Sequence, residues 1–426
     1  MTQPDPQLVQ IEKPIYGGAF LARVEGKAVF VPLTLPGEQA RIRIVEDKRG
    51  YASAEAVEIV APAPERIAPA CRHFGACGGC DYQHASYQAQ LRFKQSILRE
   101  TLERGGVRPP EEIAVLSAEP WAWRNRIRLA FDAQGNPGYR GRRSHAVIPI
   151  AECPIAAPLL VRAAQAIAEI VGKSSPLLRP SEISLFCDAQ ETSLLAGLYT
   201  VSPAKIPLED FCRALAGKIP QLKGAEYTSE GRSGRPLRKI AQWGATSLDY
   251  HAAGFAYRVD HGAFFQVNRW LVDVLVDQVT ANQRGALAWD LFAGVGLFAR
   301  RLASTFNRVV AVESAPSATA ALAHNLNNTS ATAVNAATLD FLRRTQRSKR
   351  PDLIVVDPPR TGLGAETTTL LAHFAAPALV YVSCDPATLA RDLRTLIASG
   401  YAIEKITLAD LFPQTFHLET VVHLRR

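Results

Sequence analysis

Residues 287–298 read LAWDLFAGVGLF. An apolar run ends on Asp290, passes through Gly294 and Gly296, and continues into helix-forming residues from Leu297. Working outward, the alternation repeats: RVVAVE (308–313), PDLIVVDPP (351–359) and ALVYVSCDP (378–386) are each followed by a helical stretch. Strands alternating with helices predict a parallel, doubly wound α/β sheet. Two more apolar segments, ITLADLF (406–412) and ETVVHL (419–424), stand only a few residues apart. They predict an antiparallel hairpin on the sheet edge.

Glycines let backbone approach a ligand closely, and a helix N-terminus presents N–H groups without intrahelical partners. Glu313, nineteen positions past Gly294, ends the next strand. A carboxylate there can accept hydrogen bonds from ribose hydroxyls, as in dinucleotide-binding folds. The arrangement resembles the class I S-adenosylmethionine-dependent methyltransferases. That resemblance implies a methionine tail at the glycine loop, ribose on Glu313, and adenine near Asp340, whose competing role is a solvated helix cap.

Asp357-Pro-Pro-Arg360 and Ser383-Cys384-Asp385-Pro386 close neighbouring strands at their carboxyl ends, where open α/β sheets place ligands. Cys384 is therefore read as an exposed nucleophile rather than a buried small hydrophobe. Near the end, His417 and Glu419 stand at i, i+2 entering a strand and share a face; either can serve as a base. Phe264-Phe265-Gln266-Val267-Asn268, DLFAGVGLF, DPPRTGL, SCDPATLARD and FPQTFHLET, in that order, resemble the RNA uracil-5-methyltransferases. The resemblance implies Cys384 as nucleophile and Glu419 as proton acceptor. It gives contacts to cofactor or target base to Gln266, Phe292, Glu313, Asp340 and Asp357. Leu297 departs from members that carry a cofactor-touching asparagine after the glycine. The chemistry suits these residue types: a thiolate adding to C6 turns C5 into a nucleophile, and a base then removes the C5 proton.

Three of the seven cysteines, Cys71, Cys77 and Cys80, fall within ten residues, and Cys153-Pro154 follows later. Four thiolates can close a zinc site or an iron–sulfur cluster; one CxxC with two solitary cysteines favours the cluster. The GGCxxQH context resembles the [4Fe-4S]-bearing branch of the same family, and a structural role is expected. Cys187 and Cys212 are read as buried thiols.

Residues 9–60 alternate apolar segments with Gly-containing turns, the pattern of a small antiparallel barrel, and FVPLTLPGE resembles the TRAM module. Between Trp121 and His145, six arginines (124, 126, 128, 140, 142 and 143) oppose a single acid, Asp132, with Trp121, Trp123, Phe131 and Tyr139 interleaved. This reads as an RNA surface, with Arg126 and Arg142 in its footprint. The net charge of +8 is compatible with a polyanionic partner. Forty-seven per cent hydrophobic residues exclude wholesale disorder; neither a signal peptide nor an apolar run of about 20 residues is found.

The expected organisation is a TRAM-like barrel (1–62), a mixed α+β iron–sulfur and RNA-binding domain (63–257) and a Rossmann-like methyltransferase domain (258–426). The helix around 87–104 is a candidate to pack on the last of these. A cytoplasmic monomer is expected, away from membranes. It would methylate C5 of a uridine in RNA, with 23S rRNA as leading substrate, the T-loop of tRNA second, and a non-catalytic iron–sulfur RNA-binding protein as the alternative class.

Overall fold

The computed structural model describes residues 5–173, 180–200, 208–229, 238–346 and 350–426. The first four positions of the expected barrel lie outside them. Three large sheets follow one another, with a separate hairpin before the last.

The N-terminal sheet is six-stranded and curled. It is antiparallel except where Lys27–Pro32 runs parallel to Tyr51–Ala61. Glu38 is fully buried at its lip and accepts from the backbone of Leu35 (2.7 Å) and Ala63 (3.2 Å) and from Arg66 (2.5 Å). A buried carboxylate needs such a set of donors. The barrel core continues beyond the barrel: Phe20 packs on Tyr82 and Phe93.

The central sheet has seven strands, and Arg126–Phe131, Glu182–Cys187, Leu194–Thr200 and Leu222–Ser229 are successive neighbours in it. Period-two alternation sends Ile183, Leu185, Cys187, Leu194, Ala196 and Leu198 to one face. There helices Pro158–Lys173 and Leu208–Lys218 bury them, together with Cys212. Ser184, Phe186, Leu195, Gly197 and Tyr199 take the opposite face.

The C-terminal sheet carries the four predicted parallel strands, Gly285–Leu291, Phe306–Glu313, Leu353–Val356 and Ala378–Ser383, and an unexpected fifth, Ala331–Asn335, beside Phe306–Glu313. The terminal hairpin is antiparallel but not on the edge. Glu419–Arg425 lies between Ala378–Ser383 and Ala402–Ala409, and Ala114–Leu116 pairs parallel to the latter and covers it. Helix Tyr87–Arg104 shares its buried face, Ile97, Leu98 and Leu102, with this same core. A boundary at 257/258 would also cut strand Phe255–Asp260, whose Tyr257 and Val259 are buried in the core of the last sheet. The C-terminal unit is thus built from more of the chain than 258–426, because its apolar surfaces are closed by segments on both sides of the central sheet. Among the described residues, no helix is long and apolar enough to cross a membrane.

Candidate active site

The glycine loop turns through left-handed backbone at Phe292 (φ 66°), Gly294 (φ 55°) and Gly296 (φ 92°). Open space faces the Cα of Gly294, whereas a Cβ on Gly296 would stand 2.9 Å from Leu322. The first glycine leaves room for a ligand and the second lets the helix pack. Glu313 binds the loop directly: its carboxylate accepts from the N–H of Gly294 (2.9 Å), Ser314 (2.7 Å) and Ala315 (2.6 Å). Asp290 is fully buried; one oxygen accepts from Ala299 N–H (2.8 Å) and the other has no hydrogen-bond partner among the described residues. Burial, then the charges of Asp357 and Glu313, pushes its carboxyl up to about 7.

Asp357 and Cys384 follow adjacent parallel strands, and Glu419 opens the strand antiparallel to the second. The three groups sense one another. Burial, then Glu419 and Asp357, pushes the Cys384 thiol up to about 12, with Arg360 opposing. Glu419 is buried and raised well above the usual carboxylate range by desolvation and by Asp357, and Asp357 is raised by desolvation as well. Two adjacent carboxyls in a dry site cannot both ionise freely. Gln266 is buried near the domain junction, where Asn125 donates to its carbonyl (3.0 Å).

His417 faces Arg360, whose Nη2 stands 3.0 Å from its Nδ1. Arginine only donates, so Nδ1 accepts. Burial and the cations Arg360, Lys94 and Arg124 push the imidazole down to about 4, so it is neutral at pH 7. Asp340 lies apart, exposed in the first turn of helix Thr338–Thr345 and paired with Arg343 at 3.7 Å.

Several participants escaped the sequence reading. Arg360 was visible within DPPR but had no partner to define it. Tyr16, from the barrel, places its hydroxyl 3.5 Å from the Cys384 carbonyl. The loop from Asp410 to His417 is held by helix Tyr87–Arg104: Lys94 meets Asp410 (2.6 Å) and the Phe412 carbonyl (2.9 Å) with both charges fully buried. Gln90 and Gln414 exchange two hydrogen bonds (2.9 and 3.0 Å). Asp81 and Tyr82, just past Cys80, both donate backbone N–H to the Gln414 carbonyl.

Cys71, Cys77, Cys80 and Cys153 line one cavity with Gln83 and Tyr139. Desolvation pushes up the thiols of Cys71, Cys77 and Cys80, the last to about 12, and neighbouring cysteines add to each shift. A shared cation would favour the thiolates in such a pocket. Among the described residues, no three His, Cys, Asp or Glu groups stand close enough to grip one ion.

The arginine-rich segment, expected as an RNA surface, commits much of its charge to partners within the fold. Arg142 is tied to the cysteine loop through Asp81 (3.2 Å) and the Cys80 carbonyl (2.9 Å). Arg126 donates to Ala263 (2.6 Å) and lies flat on Phe186, 4.1 Å from its ring centre. Arg128 and Arg140 pair with Glu182, an acid supplied by a distant segment. Trp123 is fully buried against Phe412 and is not a stacking platform.

A tRNA (uracil-5-)-methyltransferase profile matches residues 242–426, and a TRAM-domain profile matches residues 6–57. The chain is 32% identical to an uncharacterized RNA methyltransferase of Streptomyces avermitilis over 98% of its length and 97% of the relative's. It is 33% identical to the 23S rRNA (uracil(1939)-C(5))-methyltransferase of Chromohalobacter salexigens, covering 98% of this chain and 89% of that one. Its fold superposes on the crystal structure of Pyrococcus abyssi tRNA (uracil-54, C5)-methyltransferase in complex with S-adenosyl-L-homocysteine. The TM-score there is 0.77 at 24% identity, over 98% of this chain and all of that one. The chain belongs to the S-adenosylmethionine-dependent RNA uracil-5-methyltransferases.

Proposed function

We propose that this protein methylates C5 of a uridine in 23S ribosomal RNA through a covalent adduct on Cys384. The observation that carries the reading is the convergence of Cys384, Asp357 and Glu419 at the strand ends, close enough to shift one another's ionisation. Ribosomal RNA is favoured over tRNA by the full-length likeness to a relative named for 23S rRNA.

Bound S-adenosylmethionine supplies an electrophilic methyl on a sulfonium, which departs as a neutral thioether. Cys384 Sγ adds to C6 and the C5=C6 pair moves onto the C4 carbonyl; C5 then takes the methyl. A protonated Asp357, made accessible at neutral pH by its burial, donates to O4 as charge develops there. Glu419 takes the proton from C5, the double bond re-forms, and the C6–S bond breaks to return the thiolate. Glu419 is preferred to His417 as base because burial and neighbouring cations leave the imidazole a weak base, pushed down to about 4, and its Nδ1 is engaged by Arg360. Gln266 contacts the uracil edge, and Phe292 and Glu313 serve the cofactor; Asp340, exposed and paired with Arg343, is left out of that set.

Cys71, Cys77, Cys80 and Cys153 hold a [4Fe-4S] cluster with a structural role. The donor set is compatible in kind: four cysteines line one desolvated cavity. Anaerobically purified protein should contain close to four irons and four sulfides per chain, and the C153S variant should lose both; iron-free folded protein would refute the assignment.

Nucleoside mass spectrometry of ribosomal RNA and tRNA from cells with and without the gene tests the substrate. Loss of 5-methyluridine from 23S rRNA supports the reading, and loss from tRNA alone moves it to tRNA. In vitro, the E419Q variant should accumulate a protein–RNA adduct stable to denaturing gels; free turnover by E419Q would remove Glu419 from the base role.

A further inference from the structure

The central sheet covers one face with helices; on its other face Phe186 and Leu195 pack into the C-terminal core, and beside them lies a cleft of about 540 Å³ that the catalytic reading does not use. That volume suits a small organic group such as a nucleobase. Strand register explains its shape. Ser184, Gly197 and Glu226 stand side by side across three neighbouring strands, and Phe186 and Tyr199 flank that row. Gly197 lacks a side chain, so the row has a notch at its centre.

Two guanidinium–aromatic stacks border the notch: Arg126 lies over Phe186 (4.1 Å) and Arg128 over Tyr199 (4.5 Å). The Arg126 Nε is buried in this wall and unpartnered among the described residues. Such planes offer π faces and in-plane donors together, the combination that holds an unstacked base. Positive and negative groups alternate here (Arg126, Lys239, Glu226, Asp260), so the cleft lacks the one-signed charge of a phosphate track. The cleft also adjoins the reaction centre in the chain: Gly262 lines it, and four residues on is Gln266. Extended chain of that length spans at most about 14 Å. Phe264 stands between them, 62% exposed.

We propose that the notch at Gly197 receives the base of a nucleotide near the target uridine and contributes to the choice of RNA site; this rests on the RNA-methyltransferase reading. Glu226, as a carboxylate, only accepts hydrogen bonds. One of its oxygens accepts from the Thr228 hydroxyl (3.0 Å), and the capacity left over favours a base bearing an exocyclic amino group (adenine, cytosine or guanine), with two N–H donors, over uracil with its single N3–H.

The test uses full-length protein, fragments of 23S rRNA and tRNA transcripts lacking the modification, and two variants. A Cβ at Gly197 would stand 3.4 Å from the Tyr199 hydroxyl, 3.5 Å from its ring and 3.7 Å from Ser184, so the backbone accepts a side chain there and the outer carbons of G197L are directed against Tyr199 in the notch. It should weaken RNA binding about tenfold or more. S-adenosyl-L-homocysteine affinity and the thermal midpoint should stay at wild-type values. E226Q should relax discrimination against uracil at one nearby position, read from binding of RNAs randomised around the target. RNA affinity of a folded G197L equal to wild type overturns the proposal, as does unchanged discrimination by E226Q. Misfolded G197L leaves E226Q and photo-crosslinking of thiouridine-containing RNA to residues 182–200 or 222–229 to decide; crosslinks exclusively elsewhere count against it. Whether wild type methylates uridine in these RNAs is scored separately, so a failed activity reading and a failed cleft are told apart.

Discussion

Cys384 is the most exacting position in the molecule. Its thiol is pushed up to about 12 by burial and by two acids, and Arg360 is the cation that opposes them. Below that value the thiolate fraction grows with pH, so adduct formation with 5-fluorouridine-containing RNA should accelerate from pH 7 to 9. R360A removes the opposing charge and should move this rise to higher pH by about one unit, with R360K restoring much of it. An unmoved profile would mean that Arg360 acts elsewhere. C384A should lose at least about 10³-fold in product formation while still binding S-adenosyl-L-homocysteine. Asp290 gives a second pH signature. Its carboxyl is held up to about 7 and one oxygen is unpartnered. A cationic ligand nearby favours the ionised form. Cofactor binding at pH 6 should therefore release a proton, and affinity should rise with pH up to about 7 and level off above it; calorimetry in buffers of different ionisation enthalpy reads this directly. D290N should abolish the release.

At the scale of elements, helix Tyr87–Arg104 acts as a clamp on the loop that carries His417 and leads into Glu419. Lys94 and Asp410 form a buried ion pair with a second donor, Tyr87, on the carboxylate at 2.8 Å. Removing one partner strands a charge. K94M should cost about 3–5 kcal/mol in urea unfolding, and adding D410L should recover much of that loss. Equal stability of K94M and wild type would show that the pair is not holding the loop. These elements also mark what could be read beforehand. The parallel strands were legible because each apolar run ends in a chemical signature: the glycine loop, Asp-Pro-Pro or Ser-Cys-Asp-Pro. Ala114–Leu116 was not, since three residues carry no periodicity and their partner strand lies far along the chain. Arg142 looked like a free cation because Asp81 approaches it only through the fold. R142E should therefore lower stability, through repulsion from Asp81, more than it changes the salt dependence of RNA binding.

At the scale of the whole molecule, the question is whether the barrel is a tethered accessory or part of the catalytic body. Its core argues for the second. Tyr82 is fully buried and Phe93 nearly so, both in the cluster that includes Phe20, Val29 and Ile42 of the barrel. Burying an aromatic of this size is worth roughly 1.5–3 kcal/mol, an upper figure against a compact unfolded chain. A chain beginning at residue 63 would expose both rings, Phe93 on the helix that clamps the active-site loop and Tyr82 just before it. It should show a thermal midpoint several degrees lower and a raised tendency to aggregate, even at RNA concentrations that compensate for lost affinity. Tyr16 separates packing from positioning. Its ring packs on Phe416 at 5.6 Å while its hydroxyl reaches the Cys384 carbonyl. Y16F keeps the ring and loses the hydroxyl, so its thermal midpoint should stay near wild type while single-turnover methyl transfer slows about threefold to tenfold, the worth of one modest hydrogen bond. A truncated chain with wild-type midpoint and rate, together with a fully active Y16F, would make the barrel a separable RNA-delivery module. Slow transfer by a stable Y16F would instead show that the barrel reaches into the chemistry, making RNA docking on the barrel and nucleophile placement two ends of one rigid connection.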